Sequence, residues 1–176
     1  MIKTFIINGA GGSGKDTFIA FVENYINSLN LNPPWYVRNN SAIDEIKEIA
    51  IKYFGWNKIK TNINRRLLSD LKEMQITSCD GPYKYILNLY KTYKFYENNN
   101  CLFFHIREIP EIKKIKDEIK AKTILVYRND VKYGNRSDDD ILKYHYDYII
   151  NNHGDLKDLK QLAINFTNEN IINKKP

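Results

Sequence analysis

Cysteine is scarce in this chain, with only Cys79 and Cys101 among 176 residues. Their spacing matches no metal site and leaves no disulfide framework, so a reduced, cytoplasmic protein is expected. Long apolar runs are missing too; none approaches the ~18–20 residues that a membrane helix needs. The opening stretch, Met1-Ile2-Lys3-Thr4-Phe5-Ile6-Ile7-Asn8-Gly9, is too briefly apolar and lacks a small-residue cleavage site, so no signal peptide is expected. The 8 glycines and 5 prolines are too few for a collagen-like or low-complexity chain.

What remains is ordinary for a folded domain. Hydrophobic residues make up 43% of the chain and charged residues 27%. At roughly 100–200 residues per domain the length predicts one domain, with a core that needs no staples. Lys and Arg number 27 against 21 Asp and Glu, a formal charge of +6. The basic residues are dispersed. Lys113, Lys114, Lys116 and Lys120 are the densest group, and they alternate with Ile112, Ile115 and Ile119. That is the solvated face of an amphipathic helix. No stacking platform or nucleic-acid module accompanies the charge, so a nucleic-acid partner is not expected. A small polyanionic ligand accounts for the excess equally well.

Hydrophobic periodicity divides the chain. Thr4–Ile7, Cys101–Ile106, Thr123–Tyr127 and Tyr148–Ile150 are short continuous apolar runs, the pattern of buried strands. Trp35–Arg38 is a further extended piece after Pro33-Pro34. Between them lie helical patterns: Asp16–Leu29; one capped by Ser41 and ending at Gly55; one capped by Asn64; Tyr83–Tyr96; one opened by Pro110; a short one over Asp138–Tyr144; and one capped by Asp155. Asn98–Asn100 reads as a loop and Thr167–Pro176 as a ragged tail. Apolar strands alternating with helices predict an α/β protein in three layers, a mostly parallel sheet of about five strands covered on both faces. The helices of residues 41–100 read as an insertion on that sheet, within a single domain of residues 1–176.

The most informative stretch is Gly9-Ala10-Gly11-Gly12-Ser13-Gly14-Lys15-Asp16-Thr17. It fits G-x-x-x-x-G-K, leaves a buried strand and enters a helix, the context of a phosphate-binding loop. Glycines let successive N–H groups converge on phosphate oxygens, and the helix N-terminus adds positive potential. Gly11, Gly12, Ser13, Gly14, Lys15, Asp16 and Thr17 are therefore the candidate ATP-binding residues, with Lys15 reaching the β- and γ-phosphates. The Ser or Thr that usually follows the lysine is replaced by Asp16, with Thr17 next. Both are candidates to hold Mg2+, Asp16 through a metal-bound water.

Phosphoryl transfer requires cations from several directions, and arginine forks match phosphate geometry. Arg38, Arg107 and Arg128 stand at the C-terminal ends of successive predicted strands. In a parallel sheet the C-terminal strand ends converge on one crevice, so these arginines are expected to share a rim with Lys15.

Gly14-Lys15-Asp16-Thr17 also resembles the loop of the bacteriophage-type deoxynucleoside monophosphate kinases and their bacterial relatives, within the P-loop nucleoside monophosphate kinases. Four more landmarks follow in that family's order: Ser41-Ala42-Ile43-Asp44-Glu45-Ile46-Lys47-Glu48, Arg65-Arg66-Leu67-Leu68, His105-Ile106-Arg107-Glu108-Ile109-Pro110-Glu111, and Asp147-Tyr148-Ile149-Ile150-Asn151-Asn152-His153-Gly154-Asp155-Leu156. The resemblance implies a P-loop NTPase fold and transfer from ATP, with Mg2+, to the 5′-phosphate of a (deoxy)nucleoside monophosphate. It implies Arg107 and Arg65 on the acceptor phosphate, with Lys47 and Arg38 counted on the acceptor side. Arg128 and Arg136 would lie near the donor, in a short lid over residues 128–137. Lys15, Arg107 and Arg128 would stabilise the moving charge.

One departure bears on activity. His105 stands where the family carries Asp, and an imidazole does not replace a hard oxygen ligand for magnesium. Either Asp16 and the phosphates hold the metal, or catalysis is weakened. Two alternatives therefore stand beside the kinase reading: a P-loop kinase for another small phosphorylated metabolite, and a nucleotide-binding regulatory protein of weakened activity. A nucleic-acid-associated NTPase is a third. Assembly is left open, with a homodimer compatible with the sequence.

Overall fold

The computed structural model describes residues 1–59, 61–96, 98–129, 131 and 141–172. The apolar runs become a five-stranded sheet whose paired strands are all parallel: β1 (Ile2–Asn8), β2 (Trp35–Ser41), β3 (Asn99–His105), β4 (Lys122–Tyr127) and β5 (Tyr148–Asn151). Their order is β2-β3-β1-β4-β5, so the strand that feeds the glycine loop is central. The helices are α1 (Lys15–Ser28), α2 (Asp44–Phe54), α3 (Asn62–Cys79), α4 (Gly81–Phe95), α5 (Ile109–Ile119) and α6 (Leu156–Asn170).

Strand alternation builds the layers. Phe5 and Ile7 of β1, Cys101 and Phe103 of β3, and Ile124 and Val126 of β4 face one side, under Phe18 and Val22 of α1 and Ala163 and Phe166 of α6. Ile6, Leu102 and Phe104 face the other, under Ile86 of α4 and Ile112 and Ile115 of α5. Both faces of each central strand are buried, which is why these strands read as continuous apolar runs. The α/β three-layer fold expected from the sequence is the one formed.

Helix α3 lies outside this core. None of its 18 residues is fully buried. It packs on α2 and α4, and Lys72 ties it to α5 through Glu108 and, at 3.1 Å, Glu111. Burial of Glu111 pushes its pKa up to about 7, with Glu108 adding to the rise and Lys72 opposing it.

Several boundaries shift from the sequence reading. Ser41 closes β2 rather than capping α2; the cap position is Ile43, and the Asp44 carboxylate instead accepts the Ser41 N–H at 2.6 Å. Thr61, not Asn64, caps α3, its hydroxyl accepting the Asn64 N–H. Asn99 and Asn100 belong to β3, where the Asn100 N–H bonds the Met1 carbonyl at 2.9 Å. The tail expected from Thr167 is helical to Asn170, because Thr167 is buried and its hydroxyl bonds the Ala163 carbonyl. Of the short helix expected over 138–144, residues 138–140 lie outside the described residues; Ile141 is helical, 142 and 143 form a turn and Tyr144 a bend.

The entry to β5 is clamped. Asp147 Oδ2 accepts from Thr123 N–H and Oγ1–H, both at 2.8 Å, and Lys116 and Lys122 pair with the same carboxylate. Partial burial alone would raise the Asp147 pKa, but the Lys116 and Thr123 hydrogen bonds hold it well below the usual carboxylate value. A group depressed in the folded state stabilises above its unfolded pKa and loses that contribution as pH falls. Asp147→Asn is therefore expected to cost roughly 1–2 kcal/mol at pH 7, discounted for partial exposure. The gap to the parent should narrow as pH drops below about 4. Urea melts of both proteins between pH 7 and pH 3 check this; a constant gap would overturn it.

Candidate functional site

The loop between β1 and α1 owes its shape to glycines where no other residue fits. Gly9 has φ +143°, and a Cβ there would lie 2.4 Å from the Val126 carbonyl oxygen. Gly14, at φ +97°, is the N-cap of α1; a Cβ there would meet the Asn152 side-chain nitrogen at 2.5 Å. Side chains at either position would push the loop off the sheet or displace Asn152. Ser13 is buried inside the turn, and its Oγ has no hydrogen-bond partner among the described residues.

Lys15, the first residue of α1, turns back over the loop, donating to the carbonyls of Gly9 at 2.7 Å and Ala10 at 2.8 Å. Asp16 is exposed, and its Oδ1 lies 3.4 Å from Asn39 Nδ2 and 3.5 Å from His105 Nε2. The His105 Nε2 also meets Asn39 Oδ1 at 2.7 Å, so that nitrogen carries the proton and donates. Burial lowers the His105 pKa to about 4, with Lys15 and Lys47 adding to the drop and Asp16 opposing it. The imidazole is neutral at pH 7.

A pocket of about 360 Å³ opens beside the loop, lined by Gly12, Gly14, Thr17 and Arg128 together with Asn152, Gly154 and Leu156. Asn152 is buried and latches the loop: its Nδ2 donates to the Ser13 carbonyl at 2.8 Å, and its N–H to the Tyr127 carbonyl at 2.8 Å. The loop is thus held from β4, β5 and α1 at once.

The sequence-predicted residues divide. Gly12, Gly14, Thr17 and Arg128 meet at the pocket, with Lys15 on the loop beside them. Gly11 and Asp16 are exposed nearby. Arg107 follows β3, and its backbone carbonyl is bonded by Asn8. Arg38 is not at a strand end. Pairing with β3 carries β2 on to Ser41, opposite His105, and Arg38 stacks on Tyr36 and Tyr93, 5.4 and 5.5 Å from the ring centroids. Lys47 pairs with Asp44 at 2.7 Å. Arg65 is exposed on α3. Arg136 and most of the 128–137 lid lie outside the described residues.

Asn8 and Asn152 were not among the predicted site residues. Asn152 sits in the Asp147–Leu156 pattern, which carried a signal; Asn8 had none beyond preceding Gly9. Among the described residues no three His, Cys, Asp or Glu side chains group to hold a metal, and no helix is long and apolar enough to cross a membrane.

A central parallel strand, a glycine loop and a helix that begins with lysine define an α/β fold of the P-loop type. No protein-family model matches the chain, and no curated protein does. Among solved structures it is similar to thymidylate kinase from Ehrlichia chaffeensis, at 11% identity over 96% of this chain and 98% of that one, with a TM-score of 0.48. It is also similar to shikimate kinase from Bacteroides thetaiotaomicron, at 16% identity over 95% and 97% of the two chains, with a TM-score of 0.45.

Proposed function

We propose that this chain transfers the γ-phosphoryl group of ATP, with Mg2+, to the 5′-phosphate of a (deoxy)nucleoside monophosphate, releasing ADP and the nucleoside diphosphate. The observation that carries this reading is the set of cations at three adjacent strand ends. Lys15 follows β1, Arg107 follows β3 and Arg128 follows β4, around one glycine loop. The pocket of about 360 Å³ that Arg128 lines with Gly12, Gly14 and Thr17 of the loop and α1 is within the ~300–1,000 Å³ of small-ligand sites.

Both substrates are anions, and the acceptor phosphate needs no general base. The chain's work is to bind, align and compensate charge. Loop N–H groups and the start of α1 receive the donor phosphates. Lys15 exchanges the Gly9 and Ala10 carbonyls for phosphate oxygens. Arg128, half-buried at the pocket, meets the donor, and Arg107 faces the group in transit. Asp16 and Thr17 offer the hard oxygen donors that suit Mg2+, which when bound neutralises charge on the β- and γ-phosphates. The acceptor lies over the helices of residues 41–100, with Lys47 and Arg65 on that side. The enzyme works in the cytoplasm.

A second reading has an observation of its own. His105 gives the site a neutral imidazole beside Asp16 instead of a carboxylate, which favours a protein that binds ATP without turnover. A coupled ADP-release assay with ATP and Mg2+ across ribo- and deoxynucleoside monophosphates separates the two. Acceptor-dependent turnover is expected. ATP binding with no stimulation by any acceptor would overturn the kinase reading for this panel and favour the binding protein or a non-nucleotide acceptor.

A further inference from the structure

Asn8 ends β1 with its side chain buried at 2% exposure, and the reading above gives it no role. A polar amide there must find partners or cost free energy. It finds three, on three different segments. Its Oδ1 accepts the Gly9 N–H at 2.8 Å, at the entry to the phosphate loop. Its Nδ2 donates to the Arg107 carbonyl at 3.0 Å and to the Tyr146 hydroxyl at 3.1 Å. The orientation of the amide is fixed by chemistry, since a flipped Asn8 would set oxygen against the Arg107 carbonyl.

Each partner is itself anchored. Gly9 is pressed against the Val126 carbonyl of β4. Arg107 lies beyond β3, outside the sheet ladder that would otherwise occupy its carbonyl. Tyr146 is buried with Leu125 and Ile141 and packs edge-on against Tyr144 at 4.9 Å. It precedes the Asp147 clamp, at the β5 end of the segment that leaves β4.

We infer that Asn8 is a positioning residue that sets the distance between the Lys15 loop and the Arg107 segment, and so the alignment of donor and acceptor. It touches neither substrate. The inference rests on the kinase reading, in which Lys15 serves the donor and Arg107 the transferring group. In-line transfer is sensitive to placement, and about 1 Å of misplacement costs on the order of 10²-fold in rate. Removing the amide frees the Arg107 segment relative to the loop while leaving every substrate-contacting side chain in the chain.

Asn8→Ala is the primary variant and Asn8→Asp the second, because the aspartate keeps the acceptor toward Gly9 but sets an oxygen against the Arg107 carbonyl. Three quantities are measured: kcat, equilibrium affinity for ATP–Mg2+ and for the acceptor separately, and melting temperature. Expected is a fall in kcat of about 10–100-fold in both variants, with each affinity within about threefold of the parent. Tyr146→Phe, which keeps two of the three bonds, should fall between parent and Asn8→Ala. A purely structural role would lower the melting temperature with kcat intact, or lower kcat and both affinities together; either result overturns the inference.

Absence of turnover in the parent would count against the kinase reading alone, and a second measurement tests Asn8 without turnover. Backbone amide NMR with ATP–Mg2+ should show shifts at both the loop and residues 106–108 in the parent, and at the loop only in Asn8→Ala. Equal shifts at 106–108 in both proteins would overturn the inference.

Discussion

Lys15→Ala is expected to reduce acceptor-dependent ADP release by about 10³-fold while leaving the fold intact. The ammonium sits at the start of α1 and donates to the carbonyls of Gly9 and Ala10 in part-buried bonds, so its removal costs at most those loop contacts and leaves the sheet and helix packing untouched. Its value lies in charge that develops on the phosphoryl group, where one preorganised cation contributes factors of about 10²–10⁵. Lys15→Arg should recover little, since a planar fork is wider than an ammonium and meets the phosphates differently. Turnover and melting temperature of the three proteins decide the matter. A Lys15→Ala protein within tenfold of the parent would remove the loop from the mechanism.

Phe166→Ala should lower stability severely. Phe166 contacts the rings of Phe5 at 5.2 Å, Phe18 at 5.5 Å and Tyr148 at 5.4 Å, joining α6 to β1, α1 and β5. Truncating a buried phenylalanine costs about 3–5 kcal/mol through lost transfer energy and the cavity left behind. For a chain of this size each kcal/mol moves the melting temperature by roughly 2–4 °C, so a drop near 10 °C is expected. Thermal unfolding followed by far-UV circular dichroism measures it; a shift below about 3 °C would contradict the packing of α6.

How much of this was legible in advance depends on the range of the interaction. The run Thr4–Ile7, the glycine loop and α1 were readable because their determinants are local: continuous apolar residues, positive-φ glycines and helical spacing. Ser41 and Asn64 misled because both are good caps in isolation, whereas β2–β3 pairing and Thr61 decided the ends. The Asn39-Asn40-Ser41 run is a poor strand by propensity, yet β3 extends it, and that extension moved Arg38 inside the strand. Asn8 and Asn152 lay furthest from view. Their partners, Arg107, Tyr146 and Ser13, are distant in sequence, and nothing local to an asparagine announces a contact of that kind.

The strand order has a consequence for synthesis. β1 and β2 are the first two strands to be made, yet neither pairs with the other; both pair with β3, and β1 with β4 as well. While a ribosome translates α2, α3 and α4, the Phe5-Ile6-Ile7 segment has no sheet partner and its backbone donors are unpaired. The loop it feeds has not yet met Val126 or Asn152. Such late pairing is slow and exposes apolar edges. A nascent chain stalled before Asn99 would therefore carry every residue of the glycine loop and none of its architecture, a natural client for a chaperone that waits for β3.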